Sequence, residues 1–105
     1  MNSQLASATT LDDVVELARA LIAIDSSNPS LVAEGAGAGE GAVCDFVTEW
    51  LVSRGFSCTR LESTPGRPSI VAIAAGSGGG KSLMFNGHLD TVSLVTYENG
   101  NGLVA

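Results

Sequence analysis

Two short patterns in one stretch of the sequence have residue types and spacings that could do chemistry. Residues 75–82 read AGSGGGKS, which fits a relaxed phosphate-loop pattern ending in Gly-Lys-Ser. Shortly afterwards, His88 and Asp90 place an imidazole two positions before a carboxylate. The first pattern is typical of nucleotide binding, whereas the second has the spacing of a metal site.

The phosphate-loop pattern lacks one of its required parts. Such a loop needs glycines, a lysine and a Ser or Thr that begins a helix facing the phosphates. Lys81 and Ser82 stand in order, but Gly87 follows five residues later and no helical period continues. We therefore expect residues 75–82 to connect two strands, with Lys81 in solvent. A nucleotide-binding protein remains the less favoured alternative.

His88 and Asp90 form the second pattern. Residues two apart in an extended chain project to the same side, so Asp90 is expected to reach the imidazole. A metal-bound histidine often donates its other ring N–H to a carboxylate, which fixes the tautomer. A hydrogen-bonded pair without a metal is the alternative, because a lone His-x-Asp motif is not specific. One histidine also falls short of the about four ligands that zinc takes.

Composition limits the classes of function. The chain has 105 residues, of which 45% are hydrophobic, and this predicts one small folded domain. A formal charge of -6 disfavours binding to nucleic acid and to membrane surfaces. Cys44 and Cys58 are not at metal-ligand spacing and predict a reduced protein, with Cys44 as a buried thiol. Without a visible secretory signal or membrane span, we expect a cytoplasmic protein.

Two helices are predicted in the first half of the chain. Thr10 and Asp13 resemble a capping box for a helix over residues 11–24. After a Gly- and Ala-rich loop at residues 33–42, Glu40 begins a second helix, which Gly55 ends in a left-handed conformation. The apolar face of the first helix comprises Val14, Leu17, Ala18, Leu21 and Ile22. That of the second comprises Val43, Phe46, Val47, Trp50 and Leu51.

Three strands are predicted after the helices. They cover residues 56–62, 69–74 and 82–86, with a Pro-Gly turn between the first two. The order predicts an α/β or α+β layer in which the helices pack on a sheet. Leu103, Val104 and Ala105 resemble the start of another strand. A three-stranded sheet with an exposed edge would be prone to association.

Four segments of the chain together resemble one enzyme family. They are LIAIDSSNPS, GEGAVCDFVTEWLVSRGF, GRPSIVA and SLMFNGHLDTV, and the similarity extends from about Leu11 to Val95. The family is that of the zinc-dependent amidohydrolases and metallopeptidases, which includes acetylornithine deacetylase, succinyl-diaminopimelate desuccinylase, aminoacylase and glutamate carboxypeptidase. The Asn-Gly-His-Leu-Asp-Thr-Val run is the most specific part, because it resembles the first metal-binding motif of that family.

The resemblance implies both a fold and a site. The fold would be a three-layer, zinc-peptidase-like α/β domain, here with two helices on a partial mixed sheet. His88 would bind one of two Zn²⁺ ions, for which Co²⁺ could substitute, and Asp90 would orient His88. The reaction would be hydrolysis of an amide bond in a small N-acyl amino acid or peptide, by a homodimeric enzyme. Ser93 stands where many members have Pro, and this leaves the substrate open.

Most of the family's catalytic residues have no counterpart in residues 1–105. Its bridging Asp, its catalytic and ligand carboxylates, its final His and its dimerisation or lid domain all follow the first motif. Glu40 and Glu62 match family positions without a metal role. The resemblance therefore implies the N-terminal part of a catalytic domain, inactive alone. The alternative from another class is a non-catalytic fragment that assembles through an exposed sheet edge.

Overall fold

A computed structural model of the chain describes residues 10–28 and 40–92. Its elements are α1 (Val14–Ala23), α2 (Gly41–Ser53), β1 (Ser57–Thr64) and β2 (Arg67–Ile73). The predicted mixture of helices and strands is confirmed as two helices and one two-stranded antiparallel sheet. No helix in the described ranges has the length and apolar character that a bilayer crossing requires. Pro29, residues 33–39, Ser93 and the predicted strand start at residues 103–105 lie outside these ranges.

The start of α1 differs from the predicted capping box. Asp13 is itself the N-cap residue, and its Oδ1 accepts a hydrogen bond of 2.9 Å from the backbone N–H of Val15. The helix therefore begins at Val14 rather than at Leu11. A carboxylate one position before the first turn satisfies a free N–H group directly.

The apolar face of α1 is largely uncovered in the described part of the structure. Val14 is 76% exposed and Ile22 is 43% exposed, whereas Ala20 is buried. Apolar spacing therefore predicted the helix correctly, but it did not identify the residue that α1 buries.

The predicted apolar face of α2 is confirmed. This helix packs against both strands. Val43 and Cys44 are buried, with exposures of 2% and 0%. The other four residues of the face are half-buried: Phe46, Val47, Trp50 and Leu51. Cys44 is a free thiol, as predicted, and its burial raises its pKa.

The end of α2 also follows the prediction. Gly55 has a φ of 90°. Its N–H donates to Val52 O at 3.0 Å, and the N–H of Phe56 donates to Leu51 O at 3.1 Å. These two bonds are the Schellman pattern, which satisfies carbonyls that the helix leaves free.

Side chains near the end of α2 bind the backbone just before α1. Trp50 Nε1 donates to Leu11 O at 2.8 Å, and Arg54 Nη2 donates to the same oxygen at 2.6 Å. Arg54 also lies over the Trp50 ring, 4.2 Å from its centroid, and pairs with Asp12. The N-terminal residues of the described chain are therefore attached to the α2–hairpin unit.

The first two predicted strands form a hairpin. β1 and β2 pair in antiparallel register from Ser57 opposite Ile73 to Leu61 opposite Ser69, and the predicted Pro-Gly turn connects them. Gly66 in this turn has a φ of 80°, and its N–H donates to Glu62 Oε2 at 2.8 Å. The hairpin is the surface on which α2 packs.

The third predicted strand is wrong. Residues 82–86 form no strand, and Leu83, Met84 and Phe85 are 81%, 82% and 89% exposed. An apolar run becomes a buried strand only beside a partner, and β2 pairs with β1 alone among the described residues. The sheet is accordingly antiparallel rather than mixed. Assembly through its edges stays a prediction.

Gly55→Ala is expected to lower the free energy of unfolding by about 1 kcal/mol, because an L side chain disfavours a positive φ. Gly41→Ala is the matched control. A Cβ there meets no atom within 4 Å, and alanine favours a helix, so its stability should be unchanged or slightly higher. Urea unfolding followed by circular dichroism measures both. Equal losses would contradict the left-handed role of Gly55.

Candidate metal centre

His88 and Asp90 are in contact, as their spacing predicts. His88 Nδ1 lies 2.9 Å from Asp90 Oδ1 and 3.0 Å from the backbone oxygen of Asp90. A carbonyl oxygen can only accept, so Nδ1 carries the proton and donates to both oxygens. In the neutral imidazole, the other ring nitrogen, Nε2, then has a free lone pair on a side chain that is 83% exposed. This tautomer is the one that a metal ligand bound through Nε2 requires.

Asp90 is held through its second oxygen by Asn28. Asn28 Nδ2 donates to Asp90 Oδ2 at 2.7 Å, and the Asp90 side chain is 23% exposed. The hydrogen bond from Asn28, with a further contribution from His88, lowers the pKa of Asp90 although partial burial acts in the opposite direction. Asp90 is therefore an ionised acceptor at neutral pH.

Backbone pairing brings the loop after α1 to the segment that carries His88. Ser27 and Thr91 form an isolated parallel bridge. The N–H of Asn28 donates to Thr91 O at 2.8 Å, and the N–H of Thr91 donates to Ser26 O at 2.9 Å. Ser26 and Ser27 are both buried, with exposures of 4% and 2%. These bonds fix the backbone on the C-terminal side of Asp90.

The loop after α1 is ordered by a local turn. Asp25 Oδ1 accepts hydrogen bonds from the N–H of Ser27 at 3.0 Å and from its hydroxyl at 2.6 Å. Such bonds between a carboxylate and the backbone two residues on stabilise turns. The sequence predicted that the end of an apolar strand would position His88. This turn and the bridge to Thr91 position it instead.

An ion pair between the half-buried Arg67 and the buried Glu40 lies beside Asp90. Arg67 donates from Nε to Glu40 Oε1 at 2.6 Å and from Nη2 to Glu40 Oε2 at 2.8 Å, and these bonds raise the pKa of Arg67. Glu40 is only 7% exposed. Nη2 of Arg67 also lies 4.0 Å from Asp90 Oδ2. The pair therefore joins the start of α2 to the start of β2 and places a positive charge next to Asp90.

Sequence reasoning missed Asn28 and Arg67 as part of this site. Asn28 and Asp90 are separated by 62 positions, and Arg67 and Glu40 by 27. No local pattern encodes such pairings. The sequence contained two signals. Asn28 lies in the loop after the first helix, and Glu40 stands next to an apolar helix, where a buried carboxylate requires a cationic partner.

The described residues offer one ligand atom that suits zinc. Within residues 10–28 and 40–92 there is no group of three or more His, Cys, Asp or Glu side chains that could hold a metal ion. Glu40 is engaged by Arg67, and Asp90 by Asn28 and His88. Among the residues that the structure describes, His88 Nε2 is thus the candidate ligand atom that the pattern and the geometry both identify, and zinc needs about three more.

The glycine-rich stretch does not have the form of a phosphate loop. No helix begins at Ser82 in the described residues, which confirms the sequence argument, and Lys81 is exposed. Gly78 and Gly79 have positive φ values of 97° and 82°. The predicted connector leads from β2 to a segment with neither helix nor strand rather than to a third strand.

Comparison with known proteins gives no further assignment. No protein-family model matches the sequence, and no solved structure matches the fold. The resemblance to metal-dependent hydrolases therefore stays a prediction from the sequence segments.

Glu40→Gln is expected to lower the free energy of unfolding by about 2 kcal/mol, because it removes the charge from a bidentate bond at a buried site. Asp45→Asn is the matched acid-to-amide control. Asp45 pairs with Arg60 at 2.6 Å but is 71% exposed, so its loss should stay within about 0.5 kcal/mol. Urea unfolding measures both variants. A Glu40→Gln loss no larger than that of Asp45→Asn would contradict the structural role of the buried pair.

Proposed function

We propose that this chain supplies one metal ligand, His88, and its orienting carboxylate, Asp90, to the active site of a zinc-dependent amide hydrolase. The substrate class is a small N-acyl amino acid or peptide, as in the deacetylases and carboxypeptidases that the sequence resembles. The observation that carries the proposal is the Nδ1–H bond to Asp90, which leaves an exposed Nε2 free to bind a metal. Residues 1–105 would form the N-terminal part of a three-layer catalytic domain.

The roles of the two residues follow from imidazole chemistry. Only the nitrogen without a proton can bind a metal. A partner that keeps the proton on Nδ1 therefore leaves Nε2 as the metal-binding nitrogen. The negative charge on Asp90 raises the electron density of the ring and strengthens Nε2 as a ligand. When bound, two metal ions would activate water for attack on the amide carbonyl.

The described residues account for part of such a site. They provide one ligand and its partner, and no group of three candidate ligands. The remaining ligands and the general base of the proposed enzyme would come from other residues, as would the contacts that select the acyl group. The homodimeric state of the complete enzyme is also part of the proposal.

Zinc titration tests the ligand role directly, because His88 is the sole histidine in the chain. In protein labelled with ¹⁵N-histidine, Zn²⁺ should shift the Nε2 resonance while the proton on Nδ1 is retained. Asp90→Asn should weaken binding by about tenfold, since carboxylate partners of metal-bound histidines contribute at this level.

The control for the titration is Asp45→Asn, which removes an exposed carboxylate that does not contact His88. It should bind zinc like the parent protein. Zinc bound through Nδ1, or equal affinity in Asp90→Asn and the parent, would contradict the proposed roles.

An activity assay tests the expectation that the site is partial. With Zn²⁺ or Co²⁺ and a set of N-acyl amino acids, the 105-residue chain should show no more turnover than its His88→Ala variant. The physical reason is that one ligand cannot hold two metal ions in a reactive geometry. Turnover that His88→Ala abolishes would show that the chain contains a complete site.

A further inference from the structure

We propose that Asn28 is a positioning residue for His88, which it controls through Asp90. By donating to Asp90 Oδ2, Asn28 orients the carboxylate so that Oδ1 stays on His88 Nδ1. This selects the tautomer whose Nε2 is free. The inference rests on the proposed function in one respect, namely that Nε2 is the atom that binds the metal.

Packing cannot orient the imidazole. The His88 side chain is 83% exposed, and its hydrogen-bond partners among the described residues are the backbone oxygen and Oδ1 of Asp90. A solvated imidazole interconverts between its two neutral tautomers, so a fixed tautomer needs a fixed acceptor. The orientation of the Asp90 carboxylate therefore decides which ring nitrogen is free.

Asn28 is the nearest group that holds the second oxygen of that carboxylate. Its Nδ2 lies 2.7 Å from Asp90 Oδ2, whereas Arg67 Nη2 lies 4.0 Å away and already donates to Glu40. Without the amide, the carboxylate would lose the hydrogen bond at Oδ2 that limits its rotation. Arg67 at 4.0 Å is too far from Oδ2 for a hydrogen bond, so among these two groups it is the amide that holds this oxygen.

Asn28 is itself held in place by the backbone. Its N–H donates to Thr91 O at 2.8 Å, next to the residue that its side chain contacts. Asn28 thus binds two consecutive residues, Asp90 through Nδ2 and Thr91 through its N–H. Because both bonds come from one residue, the amide has a defined position relative to the Asp90 carboxylate.

The test is the tautomer of His88, measured from the two ring ¹⁵N shifts at a pH where the imidazole is neutral. Asn28→Asp is nearly isosteric but lacks the Nδ2 donor. It should lower the ratio of Nδ1–H to Nε2–H tautomer by about fivefold, the effect of one ordinary hydrogen bond. Asn28→Ala, which adds no charge, should shift the ratio in the same direction.

Asn86→Asp is the matched control, because it makes the same change at an exposed asparagine two residues before His88. It should leave the ratio unchanged. Unchanged ratios in both Asn28 variants, with cooperative unfolding retained, would overturn the proposal.

A measurement on the parent protein tests the proposal even if the Asn28 variants fail to fold. One side-chain N–H of Asn28 should exchange with solvent more slowly than those of Asn86, because it is hydrogen-bonded to Asp90. Equal exchange would also overturn the proposal.

The zinc titration separates the positioning role of Asn28 from the proposed hydrolase function. A tautomer shift in Asn28→Asp without zinc binding at Nε2 rejects the hydrolase function alone, whereas zinc at Nε2 with an unchanged tautomer rejects the positioning role alone.

Discussion

The Asp90 carboxylate connects the two parts of the candidate site. One of its oxygens accepts from His88 and the other from Asn28, so one side chain joins the segment after β2 to the loop after α1. The backbone bridge between Ser27 and Thr91 supports this junction. A carboxylate held at both oxygens has little freedom to rotate, and the exposed imidazole takes its orientation from it.

The ion pair between Glu40 and Arg67 extends this arrangement into the rest of the fold. Glu40 precedes α2, Arg67 begins β2, and Arg67 Nη2 lies 4.0 Å from Asp90 Oδ2. Burial of the Glu40 carboxylate is costly unless it is paired, and the bidentate bond from the half-buried Arg67 provides that partner. The pair thereby joins the hairpin to the start of α2 next to Asp90.

Features that depend on neighbouring residues in sequence could be predicted. These include α2 with its Gly55 terminus, the β1–β2 hairpin and the contact between His88 and Asp90. The third strand could not, because an apolar run such as Leu83 to Phe85 becomes a strand only beside a partner. Asn28 was missed because its contact spans 62 positions. The contact between His88 and Asp90 could therefore be predicted from the sequence, whereas the long-range contact with Asn28 could not.

The central claim is that His88 is a metal ligand through Nε2 while Asp90 holds Nδ1. A crystal structure of the chain grown with Zn²⁺, with the metal located by its anomalous scattering, tests it most directly. We predict zinc about 2.0–2.1 Å from His88 Nε2, with Nδ1 still hydrogen-bonded to Asp90 Oδ1. Zinc bound to Nδ1, or zinc bound only at sites away from His88, would contradict it.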